Sequence, residues 1–172
     1  MTTPDDRRKA RMKDFYFTIG VAVVQWHHVE DELTKLFCTL VGGESRVASA
    51  VFNTVPSFPT KLRMVKTAVL VRLGETDLFE RCKRLCKYLD EDIEQKRNQI
   101  AHFKMYYDMP EDALEEKVDW YLAPSVFDAV RRRKGEPPLK VSDIENRTKE
   151  FAKASERIRD FTAQVKATLA TP

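Results

Sequence analysis

A chain of 172 residues has room for one ordinary core, alone or with an appended hairpin, and excludes two independent catalytic domains. Hydrophobic residues make up 42% of it and charged residues 33%, too apolar for a disordered chain and too charged for a membrane protein. Thirty basic against 27 acidic residues leave a net charge of +3, which by itself says nothing of a nucleic-acid partner. With only 5 glycines and long segments free of turn formers, the expected class is mostly α. Three cysteines, Cys38, Cys82 and Cys86, form no disulfide framework, so a reducing, cytoplasmic setting is expected.

The basic run Arg7, Arg8, Lys9, Arg11 and Lys13 opens the chain, and residues 1–13 read as a basic, flexible N-terminus. Together with Phe15–Val24 it imitates a signal peptide, but no small-residue cleavage site follows and the apolar period runs on. Phe15, Ile19, Ala22, Trp26, Val29, Leu33, Leu36, Phe37 and Leu40 keep the spacing of one helical face, which predicts a helix from about Asp14 to Leu40. Gly42 and Gly43 end it, and a short helix over 44–52 follows. Pro56 and Pro59 break the chain before Leu62, Val65, Val69 and Leu73 mark a third helix, stopped by Gly74. A fourth, from about Asp77 to His102, carries Leu78, Cys82, Leu85, Leu89, Ile93 and Ile100 on one stripe. Cys82 and Cys86 lie one turn apart in it, and with no histidine nearby they read as buried thiols rather than metal ligands.

Helical periodicity fails over 104–141. Val118, Trp120 and Leu122 alternate with Asp119 and Tyr121 as a half-buried strand does, so a small hairpin insert is expected there. Arg131, Arg132, Arg133 and Lys134 form a second basic run, a candidate for RNA-phosphate binding. Ser142 and Glu145 make an S-x-x-E capping box, and Ile144, Phe151, Ala154, Ile158, Phe161, Val165 and Leu169 follow on one face of a last long helix. No stretch reaches the roughly 18 apolar residues of a membrane span.

At the end of the fourth helix stands Arg97-Asn98-Gln99-Ile100-Ala101-His102, a guanidinium, a carboxamide and an imidazole within one and a half turns. This segment resembles the R-x(4–6)-H signature of HEPN domains in its RNxxAH form. The W-x-x-V-E-x-x-L pattern at Trp26, Val29, Glu30 and Leu33, the helix order, the hairpin-like insert and the capped last helix resemble the same family, over most of the chain. The resemblance implies a single domain over 1–172, an antiparallel helical bundle with a small β-hairpin-like insert before the C-terminal helix.

Helix geometry also points to a two-fold partner. His102 follows Arg97 by five positions, a rotation of about 140° and a rise of roughly 7.5 Å, so the two side chains leave the helix in different directions. Pairing two such helices about a dyad would bring Arg97 and His102 of both chains into one cleft, as HEPN nucleases are thought to do.

If the resemblance carries activity, it implies metal-independent cleavage of RNA, in which the ribose 2′-OH attacks the adjacent phosphorus and the 5′ oxygen leaves. An imidazole, whose ordinary pKa is about 6.5, suits His102 to exchanging the protons. Arg97 would stabilise charge on the phosphate oxygens, and Asn98 would orient His102 or the phosphate. Glu30, on the flank of an apolar stripe, needs a partner, and Arg97 is one candidate. His27 and His28 precede Asp31 and Glu32 by four residues each and read as surface pairs. No cofactor motif is present, and no metal or cofactor is implied. The family's usual setting is toxin–antitoxin or phage defence, with an antitoxin or nucleotidyltransferase as partner. The rival expectation is a silent HEPN module that binds RNA, a nucleotide or a protein.

Overall fold

The computed structural model describes residues 3–108, 119–125 and 137–170. These are mostly helical, with a two-stranded antiparallel sheet before the C-terminal helix. The basic run Arg131–Lys134 and Val118 lie outside the described residues.

Helix α1 spans Pro4–Val41, 38 residues, and so begins ten positions before the expected Asp14. The cause is local. The Thr3 hydroxyl oxygen accepts from the Asp6 N–H at 3.2 Å, and Asp6 Oδ2 accepts from the Thr3 N–H at 3.1 Å, a reciprocal cap that an apolar period does not reveal. Pro4 then occupies a position where its missing N–H costs nothing. Residues 4–13 are thus helical rather than a flexible tail. Gly42 and Gly43 end α1 at φ of 71° and 73°, the left-handed region that a side chain resists.

Helix α2 covers Ser45–Asn53. Helix α3 covers Phe58–Leu73, with Pro59 inside its first turn rather than before it. Ser57 caps it, its Oγ accepting from the Thr60 N–H at 3.4 Å, and a proline in the first turn breaks no helical bond. Gly74, at φ 68°, stops α3. The short link to α4, Asp77–Tyr88, makes α3 and α4 a packed helical hairpin.

The predicted fourth helix is interrupted. A π-helical segment, Leu89–Glu94, separates α4 from α5, Gln95–His102. Four of its six residues are acidic.

Strand β1, Lys104–Asp108, leaves α5 directly and pairs antiparallel with β2, Asp119–Ala123, in the register Tyr106↔Tyr121 and Tyr107↔Trp120. Trp120 and Leu122 are buried, as the alternation required. Leu139 covers the far edge of β2, exchanging both backbone hydrogen bonds with Leu122 at 2.9 and 2.7 Å. Helix α6 runs over Val141–Ala170. The S-x-x-E box does not cap it, because the helix starts two residues early and places Ser142 in the first turn. Asp143 Oδ2 instead accepts from the Lys140 N–H at 2.9 Å.

The fold divides into two compact units. One comprises described residues of Met1–Val24 and Lys96–Lys149, with Phe15, Ala22, Ile100, Phe103, Trp120, Leu122, Leu139 and Ile144 as its core. The other comprises those of Gln25–Gln95 and Glu150–Pro172. In its core the Trp26 ring meets Phe58 at 4.7 Å and Phe151 edge-on at 5.7 Å, and Phe37 stacks on Phe52 at 4.6 Å. Truncating a buried aromatic such as Phe151 to Ala would cost about 3–5 kcal/mol. Cys82 and Cys86 are buried here as free thiols, their Sγ atoms 3.9 Å apart, as the core stripe predicts.

Candidate active site

The unbroken α-helical turns of α5 carry the whole Arg97–His102 segment. The divergence of about 140° between the two side chains therefore holds. Ile100 is buried between them and fixes which way the helix faces; Arg97 and Asn98 are half-buried, and His102 is exposed. Just past His102, Phe103 is buried and its N–H donates to the Gln99 carbonyl at 3.0 Å, so the backbone that carries His102 is held by the residue after it. Two residues on, the chain enters β1.

Asn98 has a side-chain partner other than His102. Arg97 Nη1 donates to Asn98 Oδ1 at 2.9 Å, so the carboxamide orients the guanidinium rather than the imidazole. Adjacent residues on a helix do not face each other, and the contact needs the reach of the arginine stem. The consequence is a guanidinium with a set direction, a planar donor fork of the kind that matches phosphate oxygens.

A second arginine that the sequence reading missed belongs to the same unit. Arg147, on α6, donates from Nη1 to the Lys96 carbonyl at 3.1 Å, one residue from Arg97. Its signal was present: Arg147 follows Ile144 by three positions and precedes Phe151 by four, so it borders the buried stripe and must find an acceptor. On the hairpin, Tyr106 stacks with Tyr121 at 5.9 Å and Tyr107 tilts against Trp120 at 5.1 Å, while the Arg8 guanidinium lies 5.6 Å from the centre of the Tyr107 ring.

The other expected residues fall into different surroundings. Glu30 Oε1 receives Lys61 Nζ at 3.5 Å and its Oε2 lies 3.6 Å from His27 Nδ1. Lys61 was not expected: it is an ammonium only 8% exposed, and its Nζ also lies 5.7 Å from the centre of the Phe52 ring. The pairs His27–Asp31 and His28–Glu32 do not form as expected; His27 turns to Glu30, and Glu32 receives Lys35 Nζ at 2.9 Å and Arg159 Nη2 at 3.5 Å. Three-residue spacing and a cross-helix arginine thus outcompete the i, i+4 pairs. Among the described residues no cluster of three His, Cys, Asp or Glu side chains could hold a metal ion, and no helix is long and apolar enough to cross a membrane.

Set against protein-family models, curated proteins and solved structures, the chain has no match in any of the three.

Proposed function

We propose that this chain is a HEPN-like endoribonuclease that cuts RNA without a metal, at a site assembled from Arg97, Asn98 and His102 of two copies. The observation that carries the reading is the arrangement on α5: a guanidinium held by Asn98 at 2.9 Å, and an exposed imidazole about 140° further round the same helix. In the first step a base, His102 of one copy, takes the proton from the ribose 2′-OH as that oxygen attacks phosphorus. An acid, the other copy's His102, gives a proton to the departing 5′ oxygen, leaving a 2′,3′-cyclic phosphate. Arg97 supplies fixed positive charge to the phosphate oxygens as negative charge grows on them.

A dimer is part of this reading, and α1 supports it. In the unit that contains α5, α1 exposes Tyr16, Phe17, Val21, Val23 and Val24, with Phe17 74% and Val24 56% exposed. Such an apolar set on a charged helix fits a protein contact.

The test is RNA cleavage by purified protein in excess EDTA. The expected result is cyclic-phosphate or 3′-phosphate ends, no cleavage of DNA, and loss of roughly 10²–10⁴ in rate for His102→Ala with unchanged folding. Cleavage abolished by EDTA, or wild-type rates from His102→Ala, would overturn the proposal. A dimer that folds, carries Arg97 and His102, and binds but never cuts RNA would instead establish the silent HEPN module.

A further inference from the structure

The unit built on Trp26 and Phe151 holds an open cleft of about 930 Å³ between α1, α2 and α6, made entirely of its own residues. Its ionic lining is one-sided. Lys35 from α1, Arg46 from α2, and Arg159 and Lys166 from α6 face a single carboxylate, Glu32. Four cations against one anion leave the cleft at +3, as much as the whole chain carries from 30 basic and 27 acidic residues. The excess is therefore local, and not a sample of the average surface.

The lone acid organises the cations. Glu32 is 8% exposed, and it holds Lys35 Nζ at 2.9 Å and Arg159 Nη2 at 3.5 Å, which draws one ammonium and one guanidinium to the same wall. Arg46 on α2 and Lys166, on α6 with Arg159, stand exposed. The rest of the lining is mainly hydroxyl, and its hydrogen bonds sort donors from acceptors. Thr39 gives its proton to the Lys35 carbonyl at 2.9 Å, so its oxygen is left as an acceptor. Ser49 accepts from Asn53 Nδ2 at 3.2 Å, which leaves its own proton to donate. No aromatic side chain lines the cleft, so it offers nothing for a base to stack on.

We infer that this cleft binds a compact polyanion bearing hydroxyl groups, a sugar carrying phosphate, through Arg46, Lys166, Arg159 and Lys35. A concentrated charge of +3 matches phosphates gathered on one small molecule better than a nucleic-acid strand, whose charges are spread along it. The volume lies within the range of small-molecule sites. The acceptor threonine and donor serine suit sugar hydroxyls. The inference is independent of the reading of α5, since none of these residues belongs to that helix.

The experiment is calorimetric titration of the full chain with inorganic pyrophosphate, ribose 5-phosphate and an eight-nucleotide single-stranded RNA, repeated on Arg46→Ala/Lys166→Ala. Both residues are exposed, so the double variant keeps its fold, which circular dichroism checks. Ser49→Leu, which fills the cleft without touching charge, serves as a second variant. The expected result is saturable binding of pyrophosphate and ribose 5-phosphate, weakened roughly tenfold for each cation removed and weakened by Ser49→Leu. No binding of either compound at millimolar concentration overturns the inference, as does binding that neither variant changes. RNA that binds in a variant-sensitive way while both small compounds fail also overturns it, and makes the cleft a strand track. His102→Ala should leave the titration unchanged.

Discussion

Lys61 and Glu30 form a half-sheltered pair whose two ends are not equivalent. The ammonium is almost wholly enclosed, whereas the carboxylate reaches solvent on one side. Removing Glu30 strands the ammonium among Phe52 and its neighbours, so Glu30→Ala is expected to cost about 1–3 kcal/mol in chemical denaturation. Lys61→Met, which keeps the apolar stem and removes the charge, should cost clearly less. The thiols give a second prediction at this scale. The hydrogen bond to Cys82, and then burial, push the Cys86 thiol well above its ordinary range, and only a thiolate reacts readily. The same hydrogen bond shifts Cys82 the other way, below its ordinary range, so Cys82 is protected by its burial alone. Iodoacetamide near pH 8 should label the half-exposed Cys38 first and reach Cys82 and Cys86 only on unfolding, as peptide mass spectrometry would show. Single residues were the least legible in the sequence. That Cys82 and Cys86 are core follows from an apolar stripe, but the partners of Glu30, Glu32 and Asn98 depend on where other helices deliver Lys61 and Arg159 and on how Arg97 folds back. No local spacing encodes those.

Elements were read better, and the misses at helix ends share one cause. Apolar period locates the buried part of a helix and is blind to its polar ends, so Leu33 and Phe151 were placed on buried faces while residues 4–13 and the start of α3 were not assigned to helix. Caps decide ends. The Thr3 hydrogen bonds hold the Asp6 carboxyl below its ordinary range, so the ionised form is favoured in the folded chain. Its contribution to the first turn is present above the usual carboxylate pKa and is lost as pH falls below about 4. Cα chemical shifts of residues 4–8 should drift toward coil values on that acidification, and Thr3→Ala should show part of the drift at neutral pH. The π segment is a different kind of miss. A wheel drawn over 77–102 as one α-helix carries its phase through Leu89–Glu94, where the bonding widens by one residue per turn. A wheel is sound within Asp77–Tyr88 and again from Gln95 onward, the stretch that bears Arg97 and His102.

For the whole molecule, the mostly helical class and the hairpin before the last helix were legible because each follows from a period, 3.6 or 2, and from where it changes. Division into two units was not, since long helices read as continuous wherever the packing changes neighbours. Association is the property to measure here. Light scattering at micromolar concentration is expected to give twice the chain mass, and Phe17→Asp, which places a charge on a side chain 74% exposed, should lower that mass without lowering helicity. A monomeric wild type would contradict the proposed site.

The chain has two tryptophans, and each unit received one: Trp120 in the hairpin unit, Trp26 in the other. Both indoles are buried, so each emits from an apolar surrounding and shifts to the red when its own unit opens. Trp26→Phe and Trp120→Phe thus convert the protein into a pair of optical probes with a built-in address. Because α1, the run over 77–102 and α6 each supply residues to both units, melting either one releases helix ends that the other uses. The two emission curves are expected to coincide in urea, the signature of a single cooperative transition; separated midpoints would mean that the units melt one after the other.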